Sequence, residues 1–342
     1  MRHLLIVFSI LAFCLPAFTE ELGETQIKGL FIEPEFSYLE DQKAQVNIDR
    51  WAFGFLWDRD ESISAYLRVG PKGLNHRPRY FENSEEPSEI SIIEGHGIYR
   101  SSLGEFRFGL ITLPFSFESQ LDESKRWFPK SLLAKNGFYG RRDLGLFFKN
   151  SYSGFHTLWA AHGGESGADL DEQFWLTAQW YFQDSKGFVI GFSGQTGRTK
   201  TTSTNPSGTR AGILGFEVDE DARLRAGNFF VAWQRPNWRM VLEASMGEVL
   251  QASEERQWHS FRGDFVYEVI DHVDVLFRFD SLEQDNKTSD SVLKEWTLGF
   301  SLNSENKTSK FFVLALRKEF QGDPQADHQA LILWRLTPEI SF

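Results

Sequence analysis

The chain has 342 residues, a formal net charge of −12 and one cysteine, Cys14. That charge argues against nucleic acid as a partner, because no basic face is present to neutralise phosphates. A mean hydropathy of −0.36 excludes a bundle of membrane-spanning helices, yet aromatics make up 15% of the residues, including 33 Phe and 11 Trp. A soluble domain would have to bury all of these rings, whereas a membrane β-barrel sets them on its lipid face and keeps the alternate positions polar.

The chain starts with a short basic segment, Arg2 and His3, followed by an apolar run from Leu4 to Leu15 and by small residues at Ala17 and Thr19. This pattern predicts a signal peptide over 1–19, with cleavage near Thr19. The run is well short of the roughly 20 residues that a spanning helix needs. Phe13 precedes Cys14, where lipid attachment would want a small residue. The chain from residue 20 onward has no cysteine. That fits export through an oxidising compartment and removes thiolate metal sites and cysteine nucleophiles.

From about residue 27 the sequence alternates apolar and polar residues, broken by turn residues, which is the signal of half-buried strands. Trp51, Phe53, Phe55 and Trp57 share one face, and Arg50, Ala52, Gly54, Leu56 and Asp58 share the other. The predicted strands are 27–39, 46–58, 61–71, 88–100, 103–113, 141–150, 154–163, 172–182, 186–197, 225–235, 237–249, 257–268, 271–283, 291–303, 308–320 and 328–342. Connections alternate between short turns and longer loops, as expected of a barrel with short periplasmic turns and long outer loops. That bookkeeping requires 198–224 to be one long outer loop, with the strand-like piece 211–218 folded inside it. The prediction is an all-β, transmembrane antiparallel barrel of about 16 strands over 20–342. No repeat beyond the hairpin period and no linker marks a second domain.

The last predicted strand places Ala330, Ile332, Trp334, Leu336, Pro338, Ile340 and Phe342 on one face. A terminal aromatic preceded by alternating apolar residues is the pattern of bacterial outer-membrane proteins. It implies a Gram-negative outer-membrane location, contact with outer-membrane lipid, and recognition of the strand ending at Phe342 by the barrel-assembly machinery.

The connection after the fifth strand, 114–140, holds Pro114, Phe115, Phe117 and Glu118, then Lys125, Arg126, Trp127, Phe128, Pro129, Lys130 and Lys135. In a 16-stranded barrel this loop is expected to fold inward and narrow the pore, with Glu118, Lys125, Arg126, Lys130 and Lys135 as candidate constriction residues. Strand alternation turns Arg50, Arg68, Arg100, Arg107, Arg141 and Asp143 toward the lumen. Arg239, Arg262, Arg278 and Arg335 face the same way, as do Glu33, Glu35, Glu94, His96, Glu243, Asp264 and Asp280. A charge at the lipid midplane costs about 2–4 kcal/mol for Arg or Lys, so these residues belong in water. Arginine and lysine around a pore select anions. Equally, Arg–Glu pairs between neighbouring strands would simply stiffen the wall. Trp127, inside the loop, is placed to pack it against the wall.

The segment running from Gly104 through Phe106, Phe108 and Gly109 to Pro114, Phe115 and Glu118 resembles the strand-to-loop motif of the phosphate-selective porin O and P family. Arg142-Asp143-Leu144-Gly145 resembles that family's second signature, where the chain re-enters the barrel. The resemblance covers about 104–148. It implies a homotrimeric, 16-stranded channel for passive diffusion of small hydrophilic solutes, favouring anions such as phosphate. The alternating acids in the loop, Glu118, Asp122 and Glu123, leave general diffusion open as well. Other readings are an adhesin or a structural or receptor barrel without a channel, and a barrel hydrolase. The hydrolase would need a serine activated by histidine, and no such signature is recognisable. The sequence suggests no cofactor and no metal-ligand cluster.

Overall fold

The computed structural model describes residues 24–33, 35–39, 45–47, 51–71, 90–121, 125–135, 142–163, 174–199, 222–251, 255–286, 292–304, 309–320 and 327–337. The predicted signal peptide, Arg50, Arg141, the 211–218 segment and the terminal residues Pro338, Ile340 and Phe342 lie outside the described residues.

Sixteen antiparallel strands form one sheet. β1 consists of Glu24–Ile32 and Glu35–Leu39, and β2 of Gln45–Asn47 and Trp51–Asp58. There follow β3 Ile63–Pro71, β4 Ile90–Ser101, β5 Gly104–Thr112, β6 Arg142–Tyr152, β7 Phe155–His162 and β8 Trp175–Gln183. The second half comprises β9 Phe188–Thr199, β10 Ala222–Gln234, β11 Trp238–Gln251, β12 Glu255–Ile270, β13 Val273–Glu283, β14 Val292–Asn303, β15 Ser309–Phe320 and β16 Asp327–Leu336. Each strand pairs with its successor. β1 lies between β2 and β16: its two stretches keep one register against β16, with Ile32 opposite Leu336 and Glu35 opposite Leu333. Among the described residues every strand has a neighbour on each side, and β1 meets β16 through Ile32 and Glu35–Leu39; pairing within one sheet is what a membrane-spanning β-structure requires.

The predicted parity holds. β9 and β10 pair directly, from Phe188 opposite Trp233 to Thr199 opposite Ala222, on the two sides of the long connection between them. The turns at one end of the barrel are short. Between β6 and β7, Ser153 and Gly154 both have positive φ (48° and 85°), the conformation of a two-residue hairpin turn that matches strand twist.

Alternation sets the two surfaces. On β14, Trp296, Leu298, Phe300 and Leu302 are exposed outward, while Glu295, Thr297 and Ser301 are buried inward. On β16, Ile332 and Trp334 face out and Leu331, Leu333 and Arg335 face in. The interior is not uniformly polar. Val266, Leu276, Phe312, Leu314, Leu316, Leu331 and Leu333, on the inner face of β12, β13, β15 and β16, form an apolar cluster with Phe128 from the β5–β6 connection. This part of the inner wall is apolar, and Phe128 of the loop packs on it.

Candidate functional site

The β5–β6 connection folds inward and is tied to the opposite wall along its length. It contains a short 3-10 turn at Glu118–Gln120 and one helical turn, α1, at Leu132–Lys135. At its start, Ser193 of β9 donates to the Phe115 carbonyl, and Gln179 of β8 donates to the Ser116 carbonyl at 3.3 Å. Glu243 of β11 accepts from the Phe117 amide at 3.1 Å. Further along, Arg278 of β13 donates to the Pro129 carbonyl at 2.5 Å and Asp280 accepts from the Leu132 amide at 2.5 Å. Lys135 bonds both carboxylate oxygens of Glu295 on β14, at 2.7 and 2.8 Å. Arg335 of β16 donates to the Arg126 carbonyl and to Glu33.

Glu118 is the centre of this anchoring. Its carboxylate takes a hydrogen bond from Arg262 of β12 and accepts the Ser131 amide at 3.3 and 3.4 Å. Arg126 lies 3.9 Å from it. Arg262 also pairs with Glu243 at 2.6 Å, and Glu243 accepts from Asn228 at 2.8 Å. Buried ions of this kind hold only when nearly every lone pair and proton is engaged, and here they share partners. Apolar packing reinforces them: Phe115, Leu132, Leu133 and Ala134 cluster with Trp258 and Leu282. Trp127 stands between two cations, 4.3 Å from Arg239 and 3.9 Å from the Lys310 ammonium, measured to its ring centre. Each such contact contributes about 0.5–2 kcal/mol.

The loop borders a water-accessible cavity of about 1700 Å³, lined by β3–β6 on one side, by β11–β13 and β15 on the other, and by the β8–β9 and β10–β11 turns at the short-turn end, toward which it opens. Its described lining carries thirteen lysine and arginine side chains against five acidic ones, in a chain whose total charge is −12. Arg68, Arg100, Arg107, Arg142 and Lys149 form the strand wall, and Lys125 and Arg126 come from the loop. Some of this charge is paired: Arg107 and Arg100 share Glu105, at 2.6 and 3.3 Å, and Arg142 lies 3.5 Å from Glu94.

The predicted residues are thus divided. Arg68, Arg100 and Arg107 do line the cavity. Lys125 is exposed into it, whereas Lys130 is half-buried and does not line it. Glu118 and Lys135 are bound by wall residues, Arg262 and Glu295, and Arg126 is bound within the loop to Glu118 and to the Glu118 and Leu121 carbonyls, so these charges are paired, although Glu118 and Arg126 also border the cavity. Asp143 faces inward but is covered. Its carboxylate is 2.8 Å from His162 Nδ1, and His162 Nε2 is 2.9 Å from Thr177 Oγ1. This acid–histidine–hydroxyl row has the order of a hydrolytic triad. All three residues are at most 2% exposed, beneath the root of the loop, where they tie the returning chain to β7 and β8.

Sequence reasoning missed Lys149, Lys186, Arg235 and Lys310, which add to the basic lining. It also missed the apolar inner wall, although the run Phe311-Phe312-Val313-Leu314-Ala315-Leu316 is apolar on both faces. In a water-filled barrel, that pattern signals an inner face covered by protein. No group of acidic, histidine or cysteine side chains able to hold a metal occurs among the described residues.

No family model matches the chain, and no curated protein matches it. The resemblance to the phosphate-selective porin O and P family therefore rests on its two motifs alone. Solved structures do match. The in-vitro-folded OmpT of Vibrio cholerae, in its trimer form, aligns with a TM-score of 0.66 and 10% identity, over 92% of this chain and 99% of that one. The outer-membrane channel DcaP of Acinetobacter baumannii aligns at 0.67 and 10%, over 93% and 98%. The anion-selective porin of Comamonas acidovorans aligns at 0.64 and 10%, over 92% and 99%. At these identities the likeness concerns the fold, which is that of the 16-stranded outer-membrane porins.

Proposed function

We propose that this protein is an outer-membrane porin through which small hydrophilic solutes diffuse, with a preference for anions, phosphate among them. The observation that carries this reading is the basic lining of the interior cavity, to which β3–β6, the loop, β11–β13, β15 and two short turns all contribute. An excess of cationic side chains in a confined, low-dielectric passage concentrates anions there and repels cations. The anchored loop packs on the apolar cluster of β12, β13, β15 and β16 and leaves the β3–β6 wall open to water. The fold shared with a channel and an anion-selective porin supports the reading, and a trimer is the corresponding assembly. On this reading the short turns are periplasmic and the long connections face outward.

The test is a planar-bilayer recording of the folded protein. Stepwise conductance is expected, with a reversal potential in a salt gradient on the anion side. Arg107→Glu with Arg142→Glu should move that potential toward cation preference. A well-folded protein that gives no steps would refute the channel. An unchanged reversal potential in the double variant would remove these arginines from the role.

A further inference from the structure

We propose that the lipid-facing surface of β8–β10, near the long-loop end, is a binding site for one phosphorylated lipid of the membrane's outer leaflet. Its phosphate would lie on Arg198, Arg223 and Arg225, and an acyl chain in the slot beneath them.

The arginines are an anomaly of the outer face. Arg198 on β9 stands directly opposite Arg223 on β10, and Arg225 is two residues below, opposite Thr196. All three side chains are exposed. Their outward direction follows from register: Phe192 and Phe229, exposed toward lipid, lie on the same two strands in the same alternation. Like charges directly opposite in a β-ladder repel. One acid answers them on this face: Glu248 of β11 is 3.2 Å from Arg225. Arg198 and Arg223 have no acidic partner among the described residues. A lipid phosphate would turn this repulsion into charge-assisted hydrogen bonds, for which the guanidinium fork is well suited.

The second observation is independent of charge. Below the arginines, Ala178, Gly194 and Gly227 fall in one row across β8, β9 and β10. A Cβ added at Gly227 would meet nothing within 4 Å, and one at Gly194 would meet only the Ala226 carbonyl, at 3.8 Å. Glycine within a strand interior weakens it and often marks close approach by a ligand. This pair leaves bare backbone facing lipid. Trp159, opposite Ala178, and Met246, opposite Gly227, project on the two flanks and are 48% and 69% exposed. Phe192 and Phe229 close the row below. The arginines stand two and four residues above the glycines, about 7 and 13 Å along the strand, so one molecule spans both features. The charge sets the ligand class: an anionic lipid head with a chain attached.

This assignment depends on the outward orientation of the long connections but not on conduction, so the two readings fail separately. The test uses the folded full-length protein in detergent and native mass spectrometry with a bisphosphorylated lipid A. The wild type should retain one lipid, and neither its dephosphorylated counterpart nor phosphatidylcholine should be retained. Arg198→Gln with Arg223→Gln should weaken retention roughly tenfold or more. Gly227→Leu, which fills open space and keeps every arginine, should weaken it comparably and serves if the arginine variant fails to assemble. Conductance should be unchanged in both. Equal retention of the dephosphorylated lipid, or wild-type retention in Gly227→Leu, would overturn the site. Displacement of the lipid by millimolar inorganic phosphate would show a site for free phosphate instead and also overturn it.

Discussion

Arg262→Met is the most informative perturbation of the loop. Arg262 is buried and donates to Glu118 on the loop and to Glu243 on β11. Hydrogen bonds between charged groups contribute about 1.5–3 kcal/mol each, so two of them give about 3–6 kcal/mol. The cost of breaking a buried ion pair from one side, about 3–5 kcal/mol, is of the same size. The larger part comes from what remains: Glu118, Glu243 and Asp264 would face one another with Arg126 and Arg278 as the nearby cations. Methionine fills the volume, so a cavity contributes little. A loss of about 3 kcal/mol raises the detached population of the loop by roughly two orders of magnitude. Hydrogen exchange should show it as lost protection at the Phe117 and Ser131 amides, which bond to Glu243 and Glu118. Single-channel records should show it as added current noise. Adding Glu118→Gln should recover part of the loss, since one stranded carboxylate is then neutral. Unchanged protection and unchanged noise in Arg262→Met would refute the reasoning that ion pairs, rather than apolar packing alone, hold the loop.

Other expectations follow from the same geometry. Trp127→Ala removes the ring between Arg239 and Lys310, at 4.3 and 3.9 Å. It should raise exchange around residues 125–128 while leaving α1 protected, because α1 is held by Asp280 and Glu295. Gly197→Leu should prevent assembly of the barrel, since even a Cβ there would come within 2.1 Å of the Trp175 ring. The readout is loss of the heat-modifiable folded band. Asp143→Ala strands His162 between Thr177 and an empty site, at a cost of about 1–3 kcal/mol. The fall in thermal stability should be local to the root of the loop. Deleting Phe342 should lower the amount of assembled protein in the membrane if the terminal aromatic is read by the assembly machinery.

The barrel was legible because its signals are local. Period-two alternation in Trp296, Leu298 and Phe300 against Glu295 and Thr297 decides which side is lipid without knowledge of any partner strand. Turn lengths then set parity, and parity placed the 114–140 loop after the fifth strand. What the loop's charges do was not legible. Glu118 and Lys125 are seven residues apart and equally polar in sequence. One is buried against Arg262, 144 positions away, and the other opens into the cavity. That difference depends on which stretch of inner wall the loop lies against, a matter of tertiary packing. Asp143, His162 and Thr177 likewise meet only because β6, β7 and β8 share a register.

Alternation along the chain was enough to give a 16-stranded barrel with charge inside and aromatics outside, because the choice between lipid and water is made residue by residue. Which charges anchor the loop and which open into the cavity came from packing between distant strands. The tertiary structure also showed an apolar cluster on the inner face of β12, β13, β15 and β16, on which the loop packs. Pairing energies depend on distance and burial between residues far apart in the chain, and alternation carries no information about either.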